Sequence, residues 1–504
     1  MNENEVKASL QDMASSERTA ASQSFINGPI PWLSLLVAAS AILVRHLSRG
    51  DLSVLILFAF AYGLGLLLAH FILGSKGFNT AFGIRTFTFT YSTNVVLAIL
   101  LEAYYYSEYG RAFLWNPHAA GDDTIPLIQY GSTILKNSTT GLNDDLKFHI
   151  VGVSIARDLI AGSNESAKLL KYFSYVGYPW LVGTVLYVSN FFGDMSPLAP
   201  RVVNCMFGGL LVVAIFSLAT STYGLAIGTR AAKVASLFPT LTFYSANTFR
   251  DIIVSFLIVL STLLFARLLQ ADSRHKSSAT LLALAISGVS LLFLRSPTLY
   301  TLLIAYALYV SVYGGGAIKR LALGFLIASL FAGIVLNSTS FSNQTLDYLG
   351  KQGGSWNESR IAGSSKESLA VNYIYKAPTY ISIPLSTIYM VFMPVPPFNN
   401  LSFPAILEGT GAFIWYFFVP FWIVGLWKGL RNRETALIAI TCIVLFMSVA
   451  YVGGALRHKT QFMALGFIHV SYAAEFFKGK TLSICLGTAL VLSVLAGIYG
   501  VLKL

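Results

Sequence analysis

Two adjacent carboxylates stand in a polar stretch that follows a hydrophobic segment of the chain. They are Asp122 and Asp123, preceded by Gly121 and followed by Tyr130. A carboxylate beside a membrane segment is costly unless it binds or ionises something. It can deprotonate a hydroxyl group, or hold a divalent cation that does so. Asp122 and Asp123 are therefore candidate catalytic residues, with a solvated turn or helix cap as the alternative.

Two further groups of charged residues suit the same chemistry. Arg250 and Asp251 directly precede the apolar run Ile252–Leu268. A basic run, Arg457-His458-Lys459, lies between two late apolar runs. Asp251 is a candidate second catalytic acid, and Arg250 and the basic run are candidate ligands for a lipid phosphate, because cations neutralise charge on a departing phosphate. The alternatives are a helix cap or structural ion pair for Asp251, and an interfacial anchor for the basic run.

The composition is typical of a polytopic membrane protein. Of the 504 residues, 55% are hydrophobic and 11% are charged, and the mean hydropathy is +0.67. A soluble protein of this length has far more charge. The formal net charge of +12 therefore does not indicate a nucleic-acid partner. Lys and Arg lie mainly in short loops on one side of the predicted membrane, which the positive-inside rule assigns to the cytosol.

The apolar runs predict an all-α fold of about thirteen transmembrane helices with two large external loops that carry interfacial helices. The runs include Leu52–Leu73, Thr86–Tyr104, Val234–Ser245, Leu321–Leu336 and Leu482–Val501. Val176–Phe192 is aromatic and interrupted, so we expect it to lie at the outer interface. A tight outer turn at Arg295-Ser296-Pro297 is expected to join Leu281–Leu294 to Leu299–Tyr313. Arg45 and Arg49 fall on the outer side and count against this orientation.

The same pattern divides the chain into six regions. They are a disordered cytosolic tail (1–30), N-terminal transmembrane helices (31–105), a first external loop with the acidic motif (106–201), a central transmembrane bundle (202–336), a second external loop (337–410) and C-terminal transmembrane helices (411–504). In this topology Asp122, Asp251 and the run Arg457-His458-Lys459 all face the exterior. Arg201 and Arg295 are interpreted as interfacial or structural, and Glu102 as either part of the acidic site or a paired structural carboxylate.

The order of these motifs resembles the GT-C superfamily of integral-membrane glycosyltransferases, which use polyprenyl-phosphate sugars. The motifs are Gly121-Asp122-Asp123 with Tyr130, Ala199–Asn204, Gly228-Thr229-Arg230, Phe238-Pro239 with Asp251, and Arg457-His458-Lys459 in place of a late basic external motif. The resemblance implies an enzyme that moves a sugar from a polyprenyl-phosphate donor to a glycan or lipid acceptor. It implies action at the outer face of a bacterial inner membrane, in cell-surface polysaccharide biosynthesis. Whether a divalent metal ion takes part stays open.

Two other functions fit the same residues. A polymerase of the O-antigen type, joining undecaprenyl-pyrophosphate-linked repeat units, also has many spans, large external loops and external arginines that hold a lipid pyrophosphate. In that enzyme the external Arg and His side chains should matter more than Asp122 and Asp123. A transporter of lipid-linked sugars would instead show charges near mid-span and two related halves of the chain, and the sequence shows few such charges and no such halves.

Overall fold

The computed structural model is helical throughout the part of the chain that it describes. The described residues are 29–49, 52–74, 78–109, 144–163, 166, 176–193, 195–270, 274–315, 387, 390–391, 402–451, 456–477, 479–480, 483–491 and 494. No strand occurs in these ranges. Eight of the helices in them are long and apolar enough to cross a membrane. The protein is thus an all-α chain of the polytopic membrane class.

The helices are numbered here in chain order. They are α1 Ile30–Arg49, α2 Leu52–Leu73, α3 Phe78–Tyr109, α4 Asp144–Ala161, α5 Gly177–Asn190, α6 Leu198–Tyr223, α7 Leu225–Ser236, α8 Pro239–Ser245, α9 Arg250–Leu269, α10 Arg274–Tyr313, α11 Phe403–Leu430, α12 Arg433–Tyr451 and α13 Thr460–Phe476. A 3₁₀ turn, Leu456–Lys459, precedes α13. The predicted spans Leu321–Leu336 and most of Leu482–Val501 lie outside the described residues.

Helix α6 forms the centre of the bundle. It is apolar on every side, and 89% of its candidate span is buried within the protein, as expected for a helix surrounded by others. Helix α3 runs antiparallel to it, because Phe82 packs on Phe216 at one end and Arg201 lies over the Tyr105 ring at the other. These two contacts define the two ends of the bundle.

Side-chain contacts show which helix termini lie together. We name the two ends of the bundle after Asp251 and Arg230. At the Asp251 end, Arg45 of α1 contacts Glu102 of α3. At the Arg230 end, Arg267 donates a hydrogen bond to the carbonyl of Ile72. Every described membrane helix can be oriented in this way, so residues far apart in sequence can be assigned to a common end.

Helix α10 is a hairpin of two antiparallel helices. Arg295 has extended backbone angles, φ −167° and ψ 81°, and a Cβ built on Gly288 would lie 3.6 Å from Leu299 Cδ1. In a straight helix these two residues would be about 16 Å apart, so the chain reverses at Arg295. Ser287 and Tyr306 accordingly bond to neighbouring residues of α9, at Ser261 and Thr262. The reversal lies at the outer turn that the sequence predicted.

Two crossings differ in form from the predicted runs. The run expected at Val234–Ser245 is made by two short helices, α7 and α8, which Pro239 separates. Helix α3 begins at Phe78 rather than at Thr86, so Arg85 lies within the helix and not in a cytosolic loop. The early start was not predicted because Arg85 interrupts the apolar run there.

Helix α5 lies across the Asp251 end of the bundle and is too short to cross a membrane. Its first residue, Gly177, packs against the carbonyl of Phe293, beside the hairpin turn. Near its other terminus, Ser189 donates a hydrogen bond to Ser53 at the start of α2. Both contacts are with residues at the same end of the bundle, and the interfacial position of Val176–Phe192 stays a prediction. Helix α4 packs on α5 through Gly152 and Val182.

Candidate functional site

Three elements meet at a polar junction at the Asp251 end. The junction joins the start of α9, the hairpin turn of α10 and the start of α13. Arg295 Nη1 lies 3.1 Å from Asp251 Oδ1. One turn deeper, Ser255 donates a hydrogen bond of 3.2 Å to Thr460. Thr298 Oγ1 lies 3.5 Å from Gln461 Oε1 on the adjoining face.

Local sequence explains why each of these elements begins at the junction. Asp251 lies in the first turn of α9, where a carboxylate interacts favourably with the positive end of the helix dipole. Pro297 lies in the first turn of the returning half of α10, where its missing N–H group costs nothing. The 3₁₀ turn Leu456–Lys459 leads directly into α13. The junction is therefore built from helix starts, which expose backbone N–H groups.

The basic 3₁₀ turn places two titratable side chains inside the protein. Lys459 is fully buried and His458 is 3% exposed. Lys459 Nζ lies 3.4 Å from the carbonyl oxygen of Val391, so it holds a residue that precedes α11 against the turn. Burial lowers the pKa of Lys459 from its usual range to about 7. Because both side chains are buried, neither is the headgroup anchor considered as an alternative.

A second polar group surrounds Arg201 at the start of α6. Arg201 is fully buried, and its guanidinium lies 5.5 Å from the centre of the Tyr105 ring. Tyr105 donates a hydrogen bond to the Asn247 side chain. Asn204 donates hydrogen bonds to the carbonyls of Tyr244 and Asn247, at 3.0 and 2.6 Å. These bonds hold the turn between α8 and α9, and so link Arg201 to the start of α9.

Arg45, a cation at the end opposite to most of the basic loops, forms a buried ion pair with Glu102. It makes two hydrogen bonds to the Glu102 carboxylate, at 2.8 and 2.9 Å, and a third to Ser196. Both side chains are almost completely buried. Glu102 is thus the paired structural carboxylate that the sequence left as one of two alternatives.

The structure locates some of the predicted site residues and not others. Asp251 lies in the junction, and Arg250 is half-buried beside it at the start of α9. Asp122, Asp123 and the side chain of Arg457 lie outside the described residues. Tyr109, the last residue of α3, lies at the Asp251 end, so the segment that carries the acidic pair begins there.

Two arginines have a larger part in the site than the sequence indicated. Arg295 is the partner of Asp251, and Arg201 is buried beside the turn that precedes it. Both were interpreted as interfacial or structural. A signal was available, because each stands at the end of a predicted span on the side opposite to the basic loops, as Arg457-His458-Lys459 does. Their proximity to Asp251 depends on the packing of helices and could not be deduced from spacing.

The described residues do not form a metal centre. No group of three His, Cys, Asp or Glu side chains comes together in the described ranges. Two described acids at the Asp251 end are held in separate interactions, because Asp251 pairs with Arg295 and Glu408 accepts a hydrogen bond from Tyr244.

Comparison with known proteins does not assign the chain to a family. No protein-family model matches it, and no curated protein matches it. The GT-C resemblance thus stays a prediction from the order of the motifs. The function has to be argued from the residues that the fold brings together at the Asp251 end.

Proposed function

We propose that this protein is a membrane-embedded glycosyltransferase that uses a polyprenyl-linked sugar donor, in cell-surface polysaccharide biosynthesis. The observation that supports the proposal most directly is the junction at the Asp251 end. There a buried carboxylate, Asp251, pairs with Arg295 and lies at the same end of the membrane bundle as the buried basic side chains Arg201 and Lys459. A lipid-linked phosphosugar presents its phosphate at a membrane surface.

The chemistry required of such an enzyme matches these side-chain types. The acceptor hydroxyl must lose a proton as it attacks the sugar, and a carboxylate such as Asp251 can accept that proton. The departing polyprenyl phosphate must be stabilised as its charge develops, and arginine offers a rigid fork of donors for this. The predicted acids Asp122 and Asp123 belong to the same proposal as a second source of base or of substrate contacts.

The distribution of charge supports an outward-facing site. The Arg230 end carries the exposed or half-buried cations Arg230, Lys233, Arg267, Lys428, Arg431, Arg433 and Lys480. The positive-inside rule assigns this end to the cytosol. The Asp251 end then faces the periplasm or exterior in a bacterial inner membrane, where lipid-linked sugars are used to assemble surface glycans.

Arg201 and Arg295 favour one particular alternative. A polymerase that joins undecaprenyl-pyrophosphate-linked repeat units has to neutralise two phosphates rather than one. Arg295 beside Asp251 and Arg201 near the turn that precedes α9 fit that need better than a single basic turn does. The alternative shares the donor class, the outward orientation and the phosphate contacts, and differs in what the acceptor is.

Substitution of the junction residues tests the proposal and separates its two forms. In a strain that lacks the chromosomal copy, Asp251→Asn and Arg295→Gln should each abolish surface polysaccharide made by the protein. If Arg201→Gln and Arg295→Gln abolish it while Asp122→Asn and Asp123→Asn leave it intact, the polymerase form is favoured. Arg431→Gln at the opposite end is the control. Full polysaccharide in all the junction variants, at normal protein levels, would reject both forms.

A further inference from the structure

The Asp251–Arg295 ion pair joins the two groups that the proposed reaction needs to use separately. In this structure the carboxylate proposed as the base is held by the guanidinium nearest to it, at 3.1 Å. In the resting arrangement Oδ1 of the proposed base is therefore engaged by Arg295 and is not open to an acceptor hydroxyl.

The two partners differ in their access to the membrane surface. The Asp251 side chain is 3% exposed, whereas the Arg295 side chain is 13% exposed and belongs to the hairpin turn. An anion that approaches from the outer face would therefore meet the guanidinium before the carboxylate. Arginine binds phosphate oxygens with two parallel hydrogen bonds, so a phosphate can compete with Asp251 for the same fork of donors.

We propose that the donor's phosphate displaces Asp251 from Arg295, and that this exchange of partners both binds the donor and releases the base. The inference rests on the proposed function and adds a role for Arg295 as the residue that couples the two events. Arg295 is then a phosphate ligand and, through Asp251, a positioning residue. The exchange breaks one ion pair and forms another, with no covalent change and no net proton transfer.

Because Asp251 and the phosphate compete for one cation, removing the carboxylate charge should strengthen phosphate binding. The two interactions are linked, and coupling of this kind usually changes affinity by at least about fivefold. We expect Asp251→Asn to bind a short-chain polyprenyl diphosphate at least about fivefold more tightly than the unmodified protein. Arg295→Gln should bind it at least about fivefold more weakly. Affinity is measured by calorimetry on the detergent-solubilised full chain.

Three controls make the result specific. Glu475→Gln removes the carboxylate that pairs with Arg230 at the opposite end of the bundle, and should leave the affinity unchanged. A prenyl alcohol of the same length lacks the phosphates, and its affinity should not respond to Asp251→Asn. If Asp251→Asn is poorly folded, Asp251→Ser removes the same charge and keeps a short polar side chain in the first turn of α9.

The outcomes separate this inference from the proposed function. If the diphosphate binds the unmodified protein but Asp251→Asn and Asp251→Ser bind it no more tightly, the pair is structural and the exchange is wrong, while the transferase proposal stands. If the diphosphate binds no better than the prenyl alcohol, the transferase proposal itself fails. Tighter binding in Glu475→Gln of the same size would assign the effect to overall charge and overturn the exchange.

Discussion

At the scale of single residues, the stability of the bundle depends on the buried ion pair between Arg45 and Glu102. Both groups are removed from water, and the ion pair together with the hydrogen bond from Arg45 to Ser196 helps to offset their desolvation. Removing one partner leaves a charge buried, whereas removing both leaves an apolar site. We expect Arg45→Met to lower the free energy of unfolding by about 3–5 kcal/mol, measured by thermal unfolding in detergent.

The double variant Arg45→Met/Glu102→Leu is the matched control for that prediction. Replacing both partners with apolar side chains of similar size is often neutral, so most of the lost stability should return. If the double variant is as unstable as Arg45→Met alone, the cost comes from packing around Arg45 and not from the unpaired carboxylate.

The ionisation of Lys459 should make the free energy of unfolding depend on pH. Its folded pKa of about 7 lies below its ordinary range, so between these values the unfolded chain binds a proton that the folded protein does not. Stability should therefore rise with pH above 7, by up to about 1.4 kcal/mol per unit for one proton. The stability gained above pH 7 should be lost again as the pH falls back to about 7. The measurement is the unfolding midpoint between pH 6 and 10.

Lys459→Met is the comparison for this pH dependence. The variant lacks the titrating group, so it should be more stable than the unmodified protein at pH 6, and the difference should shrink as the pH rises to 10. Equal slopes for the two proteins would show that Lys459 keeps its ordinary pKa in the folded state.

At the scale of elements, the contact between α11 and α13 requires a glycine. A Cβ on Gly425 would lie 2.6 Å from the carbonyl carbon of His469, and the backbone there cannot move aside as a side chain could. We expect Gly425→Ala to cost about 1–3 kcal/mol of unfolding free energy, seen as a lower thermal midpoint. Gly63→Ala in α2, where nothing lies within 4 Å, should have no such effect. Equal effects of the two substitutions would contradict the close approach.

The turn between α8 and α9 depends on Asn204. Its amide donates to two buried carbonyls, that of Tyr244 at the end of α8 and that of Asn247 in the turn that follows. Leaving either carbonyl without a hydrogen bond would cost about 1–3 kcal/mol. Asn204→Ala should therefore lower the thermal midpoint and also reduce polysaccharide synthesis, because Asp251 follows this turn directly. The exposed Asn190 at the end of α5 provides the control, Asn190→Ala. A fully stable Asn204→Ala protein would count against this role.

Apolar runs predicted most of the membrane helices but not the pairs between them. The predicted run Leu52–Leu73 has the same bounds as helix α2, because both lipid and protein neighbours favour apolar side chains there. The start of α3 was missed because Arg85 interrupts the apolar run there. Arg45 and Glu102 are 57 residues apart, and Arg295 and Asp251 are 44 apart, so no local spacing could pair them.

At the scale of the whole molecule, charge is distributed unequally between the two ends. Cations at the Arg230 end are largely exposed or half-buried, as shown by Arg431 and Arg433. Those at the Asp251 end include the buried side chains Arg45, Arg201 and Lys459. From this distribution the positive-inside rule predicts that the Arg230 end faces the cytosol.

The orientation can be tested with one cysteine at each end of the bundle. Asn190 lies at the Asp251 end and Glu434 at the Arg230 end, and both are exposed. In a Cys485→Ser background, a membrane-impermeant thiol reagent should label Asn190→Cys in intact cells. Glu434→Cys should react only after the membrane is opened. Cys205 and Cys442 are buried and should give little background.

The pattern of labelling separates errors of fold from errors of orientation. Labelling of both cysteines from the same side would contradict the placement of α5 and α12 at opposite ends of the bundle. The reverse pattern, with only Glu434→Cys labelled in intact cells, would keep the fold and place Asp251 on the cytosolic side. A transferase that uses lipid-linked sugars at the outer face would then be excluded, because its base and its phosphate-binding cations would face the wrong compartment.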